Sequence, residues 1–195
     1  LIIPEGVEII EDYTFSMCTN LDGILKLPST LKSIGIAAFQ NCSKLVLSGG
    51  QLKTVTTIGN GAFDSCRGIV GEISLPQIKS IGSDAFAFSG ITSIDLTGAP
   101  ITEIGSYAFE KMSALKKITI SANVTKFCAD IFLYSSNLSE IHLLSTIPAV
   151  LETDALKISD NDVYSGIIYV PQGYLETYKN AEGWSTYADR IQEEN

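Results

Sequence analysis

A phenylalanine recurs along this chain at nearly constant spacing. Successive copies lie 24, 24, 23, 23 and 23 residues apart, and a further step of 24 reaches Leu156. Each stands in a similar local pattern, of which Ile58–Cys66 is a clear example. A repeat of this period is typical of a solenoid, in which each unit forms one coil and neighbouring coils share a core. The repeated phenylalanines are Phe15, Phe39, Phe63, Phe86, Phe109 and Phe132.

Several other positions are also constant when the phenylalanine is numbered 0. Positions −8 and −5 are apolar in all six copies, position −4 is glycine in four copies, and position −1 is small in five. Apolar columns at one register stack into a continuous core. Glycine suits either a positive φ or a close approach of neighbouring backbone. A small residue at −1 leaves room for the ring of the next coil, so we predict that the phenylalanines form the centre of the core.

Short alternating segments predict the strands. Segments such as Ile118-Thr119-Ile120 and Ile141-His142-Leu143 read apolar-polar-apolar, which is typical of a strand with one buried face. One such strand per coil gives a parallel sheet. The pattern in Leu31–Ile34 indicates a second short strand on the far side, and the phenylalanine segment is expected to form a helical turn. The second coil is irregular over Leu45–Leu52, where we expect a bulge or loop excursion.

The C-terminal part of the chain departs from the repeat. We expect residues 1–165 to form the solenoid and residues 166–195 to close it, within the same domain. Gly166–Val170 reads as a last strand, followed by two short helices that break at Gly183. Trp184 is the only tryptophan, and it is interpreted either as part of a structural cap or as an aromatic ligand site. The apolar residues at helical spacing are Leu175, Tyr178, Trp184, Tyr187 and Ile191.

Composition excludes several classes of protein. Hydrophobic residues make up 45% of the chain, which is enough for a substantial core. The 22 acidic and 13 basic residues give a net charge of −9, which argues against nucleic acid or an anionic membrane as partner. No apolar run approaches the roughly 20 residues of a membrane-spanning helix. The chain opens within a repeat and without a leader, so we expect a mature or trimmed chain that lacks its targeting signal.

Three of the four cysteines share one repeat position. Cys18, Cys42 and Cys66 each lie three residues after a phenylalanine, so they are expected to form a stacked column of small buried side chains. A disulfide between adjacent coils stays open as an alternative, although parallel side chains make its geometry awkward. A metal site would need more convergent ligands. Cys128, at another register, is predicted to be a buried thiol.

The motif Ile-Gly-x-x-Ala-Phe, followed by Cys and Leu and then Ile-x-Leu-Pro, resembles the BspA-type leucine-rich repeats over roughly residues 1–145. The segments Ile168–Gly173, Tyr178-Lys179 and Trp184–Ile191 resemble the closing segment of family members from Bacteroides-like bacteria. This resemblance implies an α/β repeat solenoid, a right-handed leucine-rich repeat β-solenoid of about seven coils with a C-terminal helical cap. It also implies a surface protein of the kind found in gut and oral bacteria.

No residue set in the sequence identifies a reaction, a cofactor or a metal. His142 is the only histidine and occupies an outward strand position without a nucleophilic serine in the pattern that a hydrolase requires. Asp160-Asn161-Asp162 invites a calcium interpretation, but Tyr164 and Ser165 stand where that loop needs an oxygen ligand and glycine. A solvated acidic loop is the other interpretation. We therefore expect that the protein is not an enzyme.

The outward strand positions are the candidate binding residues. They form a rigid polar face of the kind that repeat proteins use for recognition. We expect a monomeric, secreted or cell-surface adhesion module that binds a host or bacterial surface protein or glycan through this face. A structural spacer within a larger surface protein is the alternative, and a merely solvated sheet is the alternative for each residue. The candidates are Lys26, Glu72, Ser74, Ser93, Asp95, Lys117, Thr119, Glu140 and His142.

Overall fold

The computed structural model describes residues 1–47, 49–159 and 164–194. The chain winds as a parallel β-solenoid, and the predicted leucine-rich repeat solenoid with a C-terminal helical cap is confirmed. Its elements are β1 (Ile9–Ile10), β2 (Gly23–Ile24), β3 (Ser33–Ile34), β4 (Leu45–Val46), a 3-10 helix (Gly49–Leu52), β5 (Thr57–Ile58), β6 (Val70–Ser74), β7 (Ser80–Ile81), β8 (Gly90–Asp95), β9 (Glu103–Ile104), β10 (Lys117–Ile120), β11 (Lys126–Phe127), β12 (Glu140–Leu143), β13 (Val150–Leu151), β14 (Ile167–Val170), α1 (Leu175–Lys179), a second 3-10 helix (Trp184–Arg190) and β15 (Ile191–Glu193).

Each coil contributes one short strand to each side of the solenoid. The predicted far-side strand is present, and the two-residue strands at positions −6 and −5 form a seven-stranded sheet in the order β1-β3-β5-β7-β9-β11-β13. The longer strands form a six-stranded sheet in the order β15-β14-β12-β10-β8-β6. In the first two coils this side is instead a separate pair, β2-β4. All pairings between these strands are parallel, as stacked coils of one hand require.

The phenylalanine column is the centre of the core. Five of its six rings, from Phe39 to Phe132, are fully buried, and Phe15 is partly buried in the first coil. Successive rings stack with centroids 5.1 to 6.2 Å apart. The alanines at position −1, such as Ala62 and Ala85, are also fully buried. The column therefore has the role that the sequence pattern predicted.

The turn around each phenylalanine differs from the predicted helical turn. Positions −2 and +2 adopt positive φ in coil after coil, for example Tyr107 at 60° and Lys111 at 52°. This alternation aims the N–H groups of positions −2, 0 and +2 at the next coil. The Phe63 N–H donates to the Ala85 carbonyl at 2.9 Å, and the Ser65 N–H donates to the Ala87 carbonyl at 2.9 Å. The turn is thus a third hydrogen-bonded ladder, and no helix is needed.

The repeated glycine at position −4 is explained by close approach. The φ of Gly59, Gly82 and Gly105 lies outside the left-handed region. A Cβ on Gly59 would lie 2.7 Å from the Gly35 carbonyl carbon, and one on Gly105 would lie 2.6 Å from that of Gly82. At such distances an added Cβ would collide with the backbone of the preceding coil. Any side chain at position −4 would therefore push the two coils apart. Of the two roles that the sequence left open, close approach is the one observed.

The second coil departs from the pattern as predicted. The 3-10 helix Gly49–Leu52 replaces part of its strand side, and the Gln51 side chain accepts a hydrogen bond from the Leu27 N–H at 2.8 Å. Leu52 is fully buried, so the excursion still contributes to the core. The strand register of the first two coils therefore differs from that of the later ones.

The C-terminal cap closes the last coil with aromatic residues. Trp184 is fully buried, makes edge contacts with Phe127 and Tyr178, and donates from Nε1 to the Ala149 carbonyl at 2.7 Å. The Tyr178 hydroxyl donates to the Ser145 carbonyl at 2.9 Å, and burial raises the pKa of Tyr178 to about 12. Of the two predicted helices one is α and the other is 3-10. Ile191 begins β15 instead of ending a helix, because the chain pairs there with β14.

The cysteine column is buried except at its first member. Cys42 and Cys66 are buried, and their thiols donate to the Phe15 and Phe39 carbonyls at 3.0 and 2.8 Å. Burial raises the pKa of both thiols. Cys18 is exposed because the first coil is covered on one side only, and Cys128 is half-buried instead of buried. All four are free thiols, so the disulfide alternative is not realised.

We expect Phe63→Ala to lower the free energy of unfolding by about 3–5 kcal/mol, because it opens a cavity between two stacked rings. Urea unfolding followed by circular dichroism measures the loss. Tyr174→Ala, at a half-exposed ring in the cap region, is the control and should change stability by less than about 1 kcal/mol. A loss below about 1 kcal/mol for Phe63→Ala would show that this column is not the core.

Thiol labelling should separate the four cysteines. At pH 8 we expect the exposed Cys18 to react with iodoacetamide first. A buried thiol such as Cys66 is inaccessible to the reagent, and its raised pKa keeps it from forming the reactive thiolate. Cys42 and Cys66 should react only after unfolding in urea. Peptide mass spectrometry of labelled protein identifies the sites, and Cys18→Ser removes the first modification. Early labelling of Cys66 in the folded protein would contradict the burial of the column.

Candidate binding face

The outward face of the six-stranded sheet carries two columns of side chains in register. Between them lies a buried column that includes Ile94, Ile118 and Ile141, whose side chains point into the core. The strand alternation therefore fixes the direction of each outward residue. Lys117 pairs with Ser93 and Glu140, and Thr119 pairs with Asp95 and His142. We call this surface the strand face.

The strand face brings together eight of the nine residues predicted from the sequence. One column begins at Glu72 and the other at Ser74, beside a register shift between Gly71 and Glu72. The first column contains Glu72, Ser93, Lys117 and Glu140, followed by Ile167. The second contains Ser74, Asp95, Thr119 and His142, followed by Tyr169 and Gln192.

Lys26 does not lie in these columns. Ile24 pairs with Val46, and Leu47 pairs with Ile69. Counting two residues forward from Ile24 along these pairings places Lys26 at the level of Val70. The predicted column would have required it to lie at the level of Ser74. The irregular second coil causes this slip, because its 3-10 helix interrupts the strand side. Lys26 is exposed, follows β2 and forms an isolated parallel bridge with Ile2.

Three residues of the strand face were missed from the sequence. Ile167 and Tyr169 extend the two columns onto β14, and Gln192 extends the second onto β15. The alternation in Ile167–Val170 already contained the signal for the first two, since every second residue of a half-buried strand points outward. Gln192 carried no such signal, because its segment reads as helical.

His142 lies at the centre of a cluster at the C-terminal end of the face. Its ring stacks on Tyr169 with centroids 4.6 Å apart. Its Nδ1 lies 2.5 Å from a Glu194 carboxylate oxygen and its Nε2 lies 3.2 Å from Glu140. The two carboxylates approach opposite ring nitrogens, so they do not converge on one metal ion with the imidazole. With both nitrogens engaged and one face stacked on Tyr169, the ring is held in place between the last strands.

The charges of the strand face are predominantly acidic. Glu72, Asp95 and Glu140 stand in the columns with one lysine, and Glu194 reaches over the last strands. The Lys117 ammonium lies 4.0 Å from Glu140, and both side chains are more than 40% exposed. Solvent screens such a pair, so it contributes little to stability. The Asp95 carboxylate accepts a hydrogen bond from the Thr97 N–H at 2.9 Å, which fixes the end of β8.

The described residues offer no metal cluster of three or more His, Cys, Asp or Glu side chains. Asp160, Asn161 and Asp162, the possible calcium loop, lie outside the described residues. Within the described ranges, no helix has the length and apolar character needed to cross a membrane.

Residues 1–48 and 51–159 match the BspA type leucine rich repeat region, in six copies. The chain belongs to this family. The match covers well over half of the sequence and includes every coil whose phenylalanine defined the repeat. The solenoid, its turn ladder and its glycine column are thus how this BspA-type repeat folds here.

Two solved structures are similar to the chain. A leucine rich cell surface protein from Faecalibacterium prausnitzii is 19% identical, with a TM-score of 0.44, over 89% of this chain and 69% of that one. A leucine-rich repeat protein from Bacteroides ovatus is 17% identical, with a TM-score of 0.34, over 99% of this chain and 77% of that one. No curated protein matches the chain.

We expect His142→Ala to loosen β15 without unfolding the solenoid, because it removes the contacts to Glu194 and Tyr169. The Glu194 N–H, which donates to the Val170 carbonyl at 2.9 Å, should exchange with solvent roughly tenfold faster. Hydrogen exchange with mass spectrometry measures this. Thr119→Ala, in the same column but away from the C-terminus, is the control. Equal exchange in the two variants would show that His142 does not hold this strand.

Proposed function

We propose that this protein is a non-enzymatic binding module whose strand face recognises a partner protein at a bacterial cell surface or outside the cell. The observation that carries the proposal is the register of the two columns. Polar and aromatic side chains repeat at the strand spacing on a backbone that is hydrogen-bonded on both sides. Such groups are preorganised, so a partner that matches their spacing meets little entropic cost on binding.

The character of the side chains supports recognition in place of a merely solvated surface. Most of them are half-buried by their neighbours, as Thr119, His142 and Tyr169 show. Their conformations are therefore already restricted before binding. Tyrosine and histidine also combine an apolar ring with polar atoms, a combination that is favoured at interfaces.

The size of the strand face limits what it can do alone. Six strands at about 4.8 Å spacing and four residues at about 3.3 Å rise give an area of roughly 24 by 13 Å. This is well below the about 800 Å² per partner of a standard stable interface. We infer that the columns form the centre of a larger contact, or that binding is weak and strengthened by repeated copies on a surface.

The charge of the face indicates the chemistry of the partner. Carboxylates outnumber lysine among the column residues, so a partner with a basic patch is complementary. Membership of the BspA-type family supports adhesion as the biological use, since the family is best represented in surface proteins. A structural spacer is the second candidate function, and it predicts that the strand face contributes to no binding.

We expect inverting one charge pair to reduce binding at least tenfold. Lys117→Glu combined with Glu140→Lys preserves the net charge and the ion pair but exchanges their positions. Retention on immobilised mucin and on extracellular matrix extract is measured by surface plasmon resonance, with sodium chloride as a second variable. Added salt should weaken retention of the parent protein, because the exposed charges are screened.

The matched control is Glu8→Lys combined with Lys32→Glu, an inversion at exposed positions beside the seven-stranded sheet. It should leave retention unchanged. Equal retention of all three proteins would remove the strand face from the proposal and favour the spacer. Release of the bound parent by glycosidase treatment of the mucin would assign the partner to glycan instead of protein.

A further inference from the structure

A cleft separates the last coil from the C-terminal cap. Its volume is about 660 Å³, within the range of peptide and small-molecule sites. One wall is formed by β13 and the turn after it, up to Lys157, and the other by residues 181–187. Leu151 and the small exposed part of Tyr187 supply apolar surface, while Glu182 and Thr186 line the cap side. The cleft lies apart from the strand face.

The coil wall of this cleft exposes backbone groups that other coils use for pairing. At position −5 the carbonyl normally accepts a hydrogen bond from the next coil, as when the Gly82 N–H donates to the Ile58 carbonyl at 2.9 Å. At positions −2 and 0 the N–H groups normally donate to the next coil, as Gly61 and Phe63 do.

In the last coil the equivalent groups belong to Leu151, Asp154 and Leu156. Among the described residues, the Leu151 carbonyl has no donor, and the N–H groups of Asp154 and Leu156 have no acceptor. β13 is the terminal strand of its sheet. One hydrogen-bond acceptor and two donors therefore lie along one edge of the coil. An extended backbone segment placed beside this edge could pair with all three.

The cap closes the core but leaves this edge open. The Trp184 indole donates to the Ala149 carbonyl, two residues before Leu151 in the chain. Gly183 packs against Leu151, and a Cβ built on Gly183 would lie 3.4 Å from the Leu151 Cβ. The cap thus leaves a cleft beside β13, which is too small for a whole further coil because Trp184 already covers the core.

The charges around the cleft are unequal. Glu152 on the coil wall is paired, because the Lys126 ammonium lies 2.6 Å from its carboxylate and lowers the pKa of that carboxyl mainly through this hydrogen bond. Lys157 lies 3.7 Å from Asp154. Glu182 is exposed and forms no ion pair with the described residues. The cleft therefore has an uncompensated carboxylate on its cap side.

We propose that this cleft binds an extended peptide segment of a partner protein, which adds a strand to the edge of β13. Its main chain pairs with Leu151, Asp154 and Leu156, and a basic side chain reaches Glu182. Apolar side chains of the segment pack on Leu151 and Tyr187. This is binding by strand addition, in which main-chain bonds supply affinity and side-chain pockets supply specificity.

Two other occupants fit the cleft less well. A small anion would meet the donors of Asp154 and Leu156 but also the carboxylates of Asp154 and Glu182. A second copy of the chain would bring its first coil, which carries Glu8, Glu11 and Asp12, toward the same carboxylates. A neutral main chain with a basic side chain satisfies both the backbone groups and the charge.

The test uses an N-acetylated, C-amidated heptapeptide in which valine alternates with lysine and threonine, added to the full chain. We expect saturable chemical-shift changes at the amides of Leu151, Asp154 and Leu156, together with a change in Trp184 fluorescence. The same peptide with alternate amides N-methylated should bind at least tenfold more weakly, because the methyl groups remove N–H donors and prevent its main chain from approaching the edge of β13. Equal affinity of the two peptides, or no saturable binding, would overturn the proposal.

Charge variants test the assignment of the basic side chain. Glu182→Lys should weaken binding of the lysine peptide about fivefold, and a glutamate version of the peptide should recover that loss. Asp189→Lys, an exposed cap position outside the cleft, is the control and should have no effect. Inversion of Lys117 and Glu140 should also have no effect, so this proposal and that for the strand face succeed or fail separately. Chemical-shift changes confined to the strand face would overturn the proposal that the peptide binds in the cleft.

Discussion

Backbone hydrogen bonding between successive coils is the constraint on which the rest of this structure depends. It holds three ladders at one spacing, two of them β-sheets and one built from the turns around the phenylalanines. At this spacing a Cβ at position −4 would collide with the backbone of the preceding coil, as at Gly59. The ring column stacks at a similar interval, which leaves space for only a small residue at position −1. The residue types of the repeat motif are therefore those that fit between hydrogen-bonded coils.

The turn ladder also explains conformations that would be costly elsewhere. Bulky residues such as Tyr107, Lys111 and Tyr134 adopt left-handed backbone, at about 1–2 kcal/mol each for a residue with a Cβ. In return the N–H groups of positions −2, 0 and +2 face the next coil and find carbonyls there, as those of Gly61, Phe63 and Ser65 do. Lys111 gains further from its position over the rings of Phe88 and Tyr134. The strain is thus maintained by pairing along the whole solenoid.

The sequence was sufficient for the features that recur and insufficient for those that depend on register. The phenylalanine spacing and the alternating segments predicted the core, both strand sides and eight residues of the strand face. The left-handed positions could not be predicted, because their residues share no side-chain type and only the ladder imposes the conformation. Lys26 was misplaced, since the slip around Leu47 depends on how the second coil folds. Gln192 was missed because pairing with β14 overrides the helical pattern of its segment.

Backbone pairing between coils explains both candidate sites, the strand face where the pairing continues and the cleft at the last coil where it ends. The inner strands of the strand face are paired with a neighbour on each side, so side chains such as Lys117, His142 and Tyr169 are what they offer to a partner. Recognition there depends on residues that are free to vary without loss of the fold. At the last coil the ladders end, and Leu151, Asp154 and Leu156 present backbone that no side-chain substitution can remove. A solenoid of paired coils therefore carries an adaptable surface along its length and an invariant one at its end, and the incomplete cover of Trp184 and Gly183 leaves the second one accessible.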